Sequence, residues 1–154
     1  MKIYLGADHG GYAAKEQLKK WLQANHYDFE DCGAFQLDPE DDYPDFSFPA
    51  AEKVAQDSLH EARGILSCRS SGGAVIAANK VRGIRAVSVF DQTSARHARE
   101  HNDANIIGVS GDWSTSEQIQ EIVKTFLTTP FSQEPRHLRR IQKITQYEEA
   151  EHTV

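Results

Sequence analysis

Residues 2–11 read KIYLGADHGG, a short apolar run (Lys2-Ile3-Tyr4-Leu5-Gly6-Ala7) that stops at Asp8-His9-Gly10-Gly11. Over residues 12–25, Ala13, Leu18, Trp21 and Leu22 then recur at helical spacing. A brief apolar run closed by a polar, glycine-bearing turn and followed by a 3.6-residue period predicts a strand feeding a helix. The same unit repeats along the chain. Tyr27–Cys32 is a second run stopped by Gly33, and the acidic, proline-punctuated residues 34–48 predict a loop with a helix over about 49–59. Gly64–Ser67 predicts a buried strand, and the Ser/Gly segment after it opens a short helix over Ala74–Lys80. Ile84–Val89 is a β-branched fourth strand followed by a charged helix, Thr93–Glu100, and Asn105–Val109 is a fifth strand. Ser114 with Glu117 predicts a capping box for a helix reaching about Leu127; after Pro130–Pro135, Arg136–Ala150 predicts a last amphipathic helix. Five strands alternating with helices predict an α/β fold: a three-layer α/β/α sandwich on a five-stranded parallel sheet, covered on both faces. The expected organisation is a single domain over 1–154 with a C-terminal helical arm at about 136–150.

Composition narrows the function. The 154 residues carry 17 Lys+Arg against 23 Asp+Glu, a net charge of −6, so no nucleic acid or anionic membrane is expected as the main partner. With 39% hydrophobic and 26% charged residues the chain reads as globular. Its apolar runs fall far short of the roughly 20 residues a bilayer span needs. The N-terminal residues meet Gly, Asp and His before an apolar signal region forms, and Cys32 and Cys68 make no disulfide framework, so a cytoplasmic protein is expected.

In parallel α/β sheets ligands bind at the carboxyl ends of the strands. Asp8-His9-Gly10-Gly11, Cys68-Arg69-Ser70-Ser71-Gly72-Gly73, His101-Asn102-Asp103 and Ser110-Gly111-Asp112 are therefore expected to converge on one edge. Cys68, before a turn and a helix N-terminus, stands where backbone N–H groups favour a thiolate nucleophile or base. A buried apolar cysteine explains it as well. Consecutive N–H groups over Arg69–Gly73 suit an oxyanion or phosphate, and equally make an ordinary strand-to-helix turn. Asp8 beside His9 suits a polar ligand or a proton shuttle, and a helix cap is the alternative. His97 and His101 have an i, i+4 zinc spacing, but without a partner glutamate no metal is expected. His101 is the better acid/base candidate. Arg136, His137, Arg139 and Arg140 form a basic patch that is either a solvated surface or a phosphate grip.

Together, Gly6-Ala7-Asp8-His9-Gly10-Gly11, Asp42-Tyr43-Pro44, Cys68 before its Ser/Gly loop, Ile76-Ala77-Ala78-Asn79-Lys80, His101-Asn102-Asp103-Ala104-Asn105 and Arg136-His137-x-x-Arg140 resemble the type B ribose-5-phosphate isomerases. That family also holds the galactose-6-phosphate isomerase subunits. The resemblance runs in order to about residue 145 and implies a Rossmann-like sandwich, a sugar-phosphate substrate and no cofactor. It also implies a homodimer or dimer of dimers whose active sites are completed across the subunit interface. The implied reaction is aldose–ketose isomerisation through a cis-enediol, with Cys68 moving the proton between C2 and C1. His101 with the Ser70 hydroxyl would open the ring, and the N–H groups of Arg69, Ser70, Ser71, Gly72 and Gly73 would hold the enediolate oxygen. Asp8 and Asn102 would contact sugar oxygens, Tyr43 would line the pocket, and His9, Arg136 and Arg140 would hold the phosphate.

The chain departs from the family twice. Arg69 and Ser71 stand where the loop usually has glycines, which predicts an altered loop conformation. Asp112 stands where the family has a phosphate-binding arginine, an inversion of sign. Arg69 and Asp112 are expected to meet as an ion pair, in which Arg69 either contributes the missing positive charge to a phosphate or is neutralised by Asp112 competing for its bidentate face, the second being the favoured outcome. Weak turnover of ribose 5-phosphate, or a preference for another sugar, is the expected consequence.

Overall fold

A computed structural model describes residues 1–150; residues 151–154 of the expected domain lie outside the described residues. Five strands, β1 (Ile3–Ala7), β2 (Phe29–Asp31), β3 (Arg63–Cys68), β4 (Ala86–Ser88) and β5 (Ile106–Ser110), form one sheet in the order β2-β1-β3-β5-β4, all parallel. The helices are α1 (Tyr12–Ala24), α2 (Pro44–Ala55), α3 (Gly72–Ala78), α4 (Gln92–Asn102), α5 (Ser116–Thr128) and α6 (Pro135–Ala150). The expected α/β sandwich is therefore present, with the arm as α6.

Each sheet face has its own core. On one, Leu18 and Leu22 of α1, Ala95 and Ala98 of α4, and Ile119, Ile122, Val123 and Phe126 of α5 close over Ile3, Leu5, Ile65, Ile107 and Val109. On the other, Ala50, Ala51 and Val54 of α2 and Ala74 and Ala78 of α3 cover Leu66 and Ile106. Burying each of the larger side chains contributes about 1.5–3 kcal/mol. Because the central strands β1, β3 and β5 are covered on both sides, they read as largely apolar runs without alternation, whereas edge strand β2 is the half-buried Phe29-Glu30-Asp31.

Several local expectations are corrected. Helix α2 begins at Pro44, inside the stretch expected to be a loop, because proline at the first helical position needs no N–H and has its φ already set. The capping box of α5 is Thr115 with Gln118, one residue beyond Ser114 and Glu117. The sequence Ser114-Thr115-Ser116-Glu117-Gln118 contains both boxes. The turn that follows β5, closed by the Trp113 N–H donating to Ser110 Oγ at 2.9 Å, delays the helix until the second. On α1 it is Lys15, not Ala13, that turns inward: Lys15 is 2% exposed and Ala13 is exposed. Its ammonium donates to both Asp31 oxygens at 2.6 and 2.7 Å and to the Ala34 carbonyl at 2.7 Å, tying α1 to the end of β2.

The strand order reverses direction between β1 and β3, because β2 leaves on one side of β1 and β3 lies on the other. Connections diverge there and leave a crevice outside the carboxyl ends of those strands, the usual ligand position in open parallel sheets. The turns after β1 and β3 flank it.

Candidate active site

At this crevice Ala7 pairs in register with Ser67, so Asp8 and Cys68 follow on neighbouring strands. Cys68 is 4% exposed, at the last position of β3. The Asp112 N–H donates to the Arg69 carbonyl at 3.3 Å, and the Gly111 N–H to the Cys68 carbonyl at 2.9 Å, which binds the turns after β3 and β5 together. Ser110 Oγ donates to the Arg69 carbonyl as well, at 2.5 Å. Tyr43, at the start of α2, lies over the Ser/Gly loop: a Cβ on Gly73 would come within 2.7 Å of its ring.

Ser71 shows how the loop meets its departure from the family. It has φ +66°, left-handed backbone that favours glycine, so the residue change leaves this part of the loop in the conformation glycine would take. A left-handed non-glycine residue costs roughly 1–2 kcal/mol, and the loop carries that strain. Ser71 is fully buried, and its Oγ has no hydrogen-bond partner among the described residues.

Two of the candidate residues at the carboxyl side, His9 and Arg69, each lie against a carboxylate. His9 Nδ1 lies 2.7 Å from Asp41 Oδ1, which also accepts the His9 backbone N–H at 2.8 Å. This bond to Asp41 raises the His9 pKa, and the Asp8 charge adds to it. The second oxygen of Asp41 is buried without a partner among the described residues. Sequence reasoning missed Asp41; the excess of carboxylates over residues 38–42 was its only signal. Burial raises the pKa of Asp8, against the pull of the Gly11 N–H that it accepts at 3.1 Å. The second pair is the expected one, Arg69 with Asp112, but it is a single Nη1–Oδ2 contact at 3.5 Å with the side chains 65% and 42% exposed. No described residue occupies the bidentate face of Arg69.

The remaining candidates lie at the opposite edge, which corrects the expectation of one convergent cluster. A helix following a parallel strand runs back along the sheet, so the C-terminal end of α4 reaches the amino edge. Arg85, next to the start of β4, donates from Nε to the Asn102 carbonyl at 3.0 Å. His101 lies between His97, on which it stacks, and His137, to which it is tilted by 35°, with ring centroids 4.6 Å apart on each side. His137 is buried on α6, its Nδ1 2.7 Å from Ser132 Oγ, and burial lowers its pKa. His101, Asn102 and Arg140 line a cleft of about 240 Å³, while Arg136 pairs with Glu134 at 2.8 Å. Cys68 pairs with Ser110 at the far end of β5 from Ile106, and four residues of strand rise span about 13 Å. No hydrogen bond, ion pair or ring contact among the described residues joins the two groups. Nor do three His, Cys, Asp or Glu side chains gather among those residues as metal ligands.

The family model described as Ribose/Galactose Isomerase matches residues 3–144. Ribose-5-phosphate isomerase B of Mycolicibacterium paratuberculosis is 42% identical over 148 residues, covering 96% of this chain and 92% of its own. The solved ribose-5-phosphate isomerase B of Mycoplasma genitalium with bound ribulose-5-phosphate superposes with a TM-score of 0.91 at 37% identity, covering 96% of each chain. The type B ribose 5-phosphate isomerase of Trypanosoma cruzi gives 0.89 at 40% identity, covering 97% of this chain and 99% of that one. The chain belongs to the ribose/galactose isomerase family.

Proposed function

We propose that this protein is a sugar-phosphate isomerase that interconverts ribose 5-phosphate and ribulose 5-phosphate in sites shared by two copies of the chain. The observation that carries the reading is Cys68, buried at the end of β3 beside Asp8 and at the start of a Ser/Gly loop. Isomerisation through a cis-enediol needs one base that reaches C2 and C1, and donors for the charge that develops on oxygen. The Cys68 thiolate takes the C2 proton, and the electron pair moves to form the C1–C2 double bond with negative charge on O1. The N–H groups of residues 69–73 hold that oxygen. Proton exchange between O1 and O2 followed by return of the proton to C1 gives the ketose, with no net gain or loss of electrons.

Ring opening falls to His101 with the Ser70 hydroxyl. Since His101 and Cys68 stand at opposite edges of one chain, the His101, Asn102, Arg136 and Arg140 that serve a given Cys68 come from a second copy. Asp8 and Asn102 hold sugar hydroxyls, Tyr43 closes the pocket, and His9 meets the phosphate. No step needs a metal or cofactor. A second reading, a different sugar, is favoured by one observation, Asp112 at the carboxyl edge beside Arg69. Purified protein assayed for ketose formation from ribose 5-phosphate, galactose 6-phosphate and free ribose decides between the two. Turnover highest on ribose 5-phosphate supports the first reading, and turnover highest on either other sugar supports the second. No turnover of any of them contradicts both.

A further inference from the structure

In the five loops that follow the strands, residues 8–11, 32–43, 69–71, 89–91 and 111–115, only two side chains can carry positive charge, His9 when protonated and Arg69. The same loops carry seven carboxylates, Asp8, Asp38, Glu40, Asp41, Asp42, Asp91 and Asp112, so a dianion at this edge meets an unfavourable local field from its own chain unless those two groups serve it beside the Arg136 and Arg140 that a second copy would bring. His9 and Arg69 are held very differently. His9 is clamped by Asp41, whose side chain is 8% exposed, through both its ring and its backbone N–H. Arg69 is fixed only at its base. Its stem lies against Gly10, where a Cβ would collide with the Arg69 Cγ, so the guanidinium starts from beside His9. Its main chain is tied to the turn of Asp112. Among the described residues the guanidinium itself makes one polar contact, at 3.5 Å, the outer limit of a hydrogen bond, with both partners exposed.

We propose that Arg69 grips the substrate's phosphate from the strand-three loop and that Asp112 is its displaceable counter-ion, so that this pair sets the preference between phosphorylated and neutral sugars. The proposal rests on the sugar-phosphate reading above. An exposed single-contact ion pair is worth a factor of about five or less in an equilibrium constant, whereas a phosphate offers the guanidinium two parallel charge-assisted bonds. The exchange therefore favours the phosphate. Once displaced, Asp112 remains a like-signed neighbour of the bound dianion and weakens its hold, so the pair acts as a grip with a built-in brake.

The test uses inorganic phosphate as the probe, with calorimetric titration of the full chain at low salt for the unmodified protein, Arg69→Gln and Asp112→Asn. Both positions are exposed, so neither change disturbs the core. Arg69→Gln is expected to weaken phosphate binding about tenfold or more, and Asp112→Asn to tighten it about threefold or more. KM for ribose 5-phosphate should move in the same directions while kcat stays within about threefold, the pattern of uniform binding. No saturable phosphate binding by the unmodified protein, unchanged binding in Arg69→Gln, or unchanged or weaker binding in Asp112→Asn would overturn the proposal. If phosphate binds in the expected pattern but ribose 5-phosphate is not isomerised, the functional reading fails and this one stands. An active isomerase whose phosphate affinity ignores both substitutions overturns this proposal and leaves the functional reading in place.

Discussion

At the scale of single residues, the two cysteines separate cleanly. Cys32 is half-buried, and burial pushes its pKa up to about 11, so it stays a neutral thiol near pH 7. Cys68→Ala should lower kcat by several orders of magnitude with the fold intact, and Cys32→Ala should change little. Retention of more than about a tenth of kcat by Cys68→Ala, a barrier change under ~1.4 kcal/mol, would show that another group moves the proton. His9 gives a pH prediction. Its raised pKa keeps the imidazolium, and with it the phosphate contact proposed for His9, to a higher pH than an ordinary histidine, and the charge is lost as pH rises through that value. Asp41→Asn removes the main cause, so the rise in KM on the alkaline side should begin at lower pH. An unmoved KM–pH profile would mean that Asp41 does not tune His9. The sequence made Cys68, Asp8 and His9 legible because each directly follows an apolar run. Asp41 was hidden, since a carboxylate in an acidic loop reads as solvated until the fold brings it onto a histidine 32 residues away.

At the scale of elements, apolar runs and helical periods located every strand and helix, while the ends depended on chemistry that pattern alone does not resolve. Pro44 reads as a breaker but serves as the first residue of α2, and two overlapping capping boxes compete for α5. Lys15 is the clearest case of a residue against its pattern, a cation inside an amphipathic helix's buried face, made tolerable by the Asp31 carboxylate and the Ala34 carbonyl. Removing one partner of a buried pair typically costs about 3–5 kcal/mol. Lys19 still reaches Asp31 at 2.7 Å, so Lys15→Met should destabilise by about 3 kcal/mol, read as a lower urea midpoint with unchanged slope. Burial acts to raise the Asp31 pKa, but bonds from Lys15, Lys19 and the Gly33 N–H outweigh it and hold it low. That stability is present above the ordinary carboxylate range and is lost as pH falls through the lowered value. Lys15→Met should therefore flatten the acid limb of the stability profile, and an unchanged limb would show that the pair contributes nothing.

At the scale of the whole molecule, the two groups of candidate site residues occupy opposite edges of one sheet. Position in sequence suggested convergence, because the segment His101-Asn102 follows a strand-and-helix unit as the other candidates follow strands. The return run of α4 separates them instead, placing Asn102 beside Arg85 at the amino edge, about 13 Å of strand from Cys68. The proposed symmetric pair of chains would solve this if its two-fold contact set the amino-edge group of one copy against the carboxyl edge of the other, since an isologous contact is reciprocal. The central claim is that Cys68 and His101 act in one site but come from different chains. Mixing Cys68→Ala with His101→Asn, each inactive alone, tests it directly after subunits have been exchanged by denaturation and refolding. With shared sites, half of the dimers are mixed and each carries one intact site of two, so about a quarter of the unmodified activity should return. A mixture as inactive as its parents, with mixed dimers demonstrated by mass spectrometry, would contradict the account.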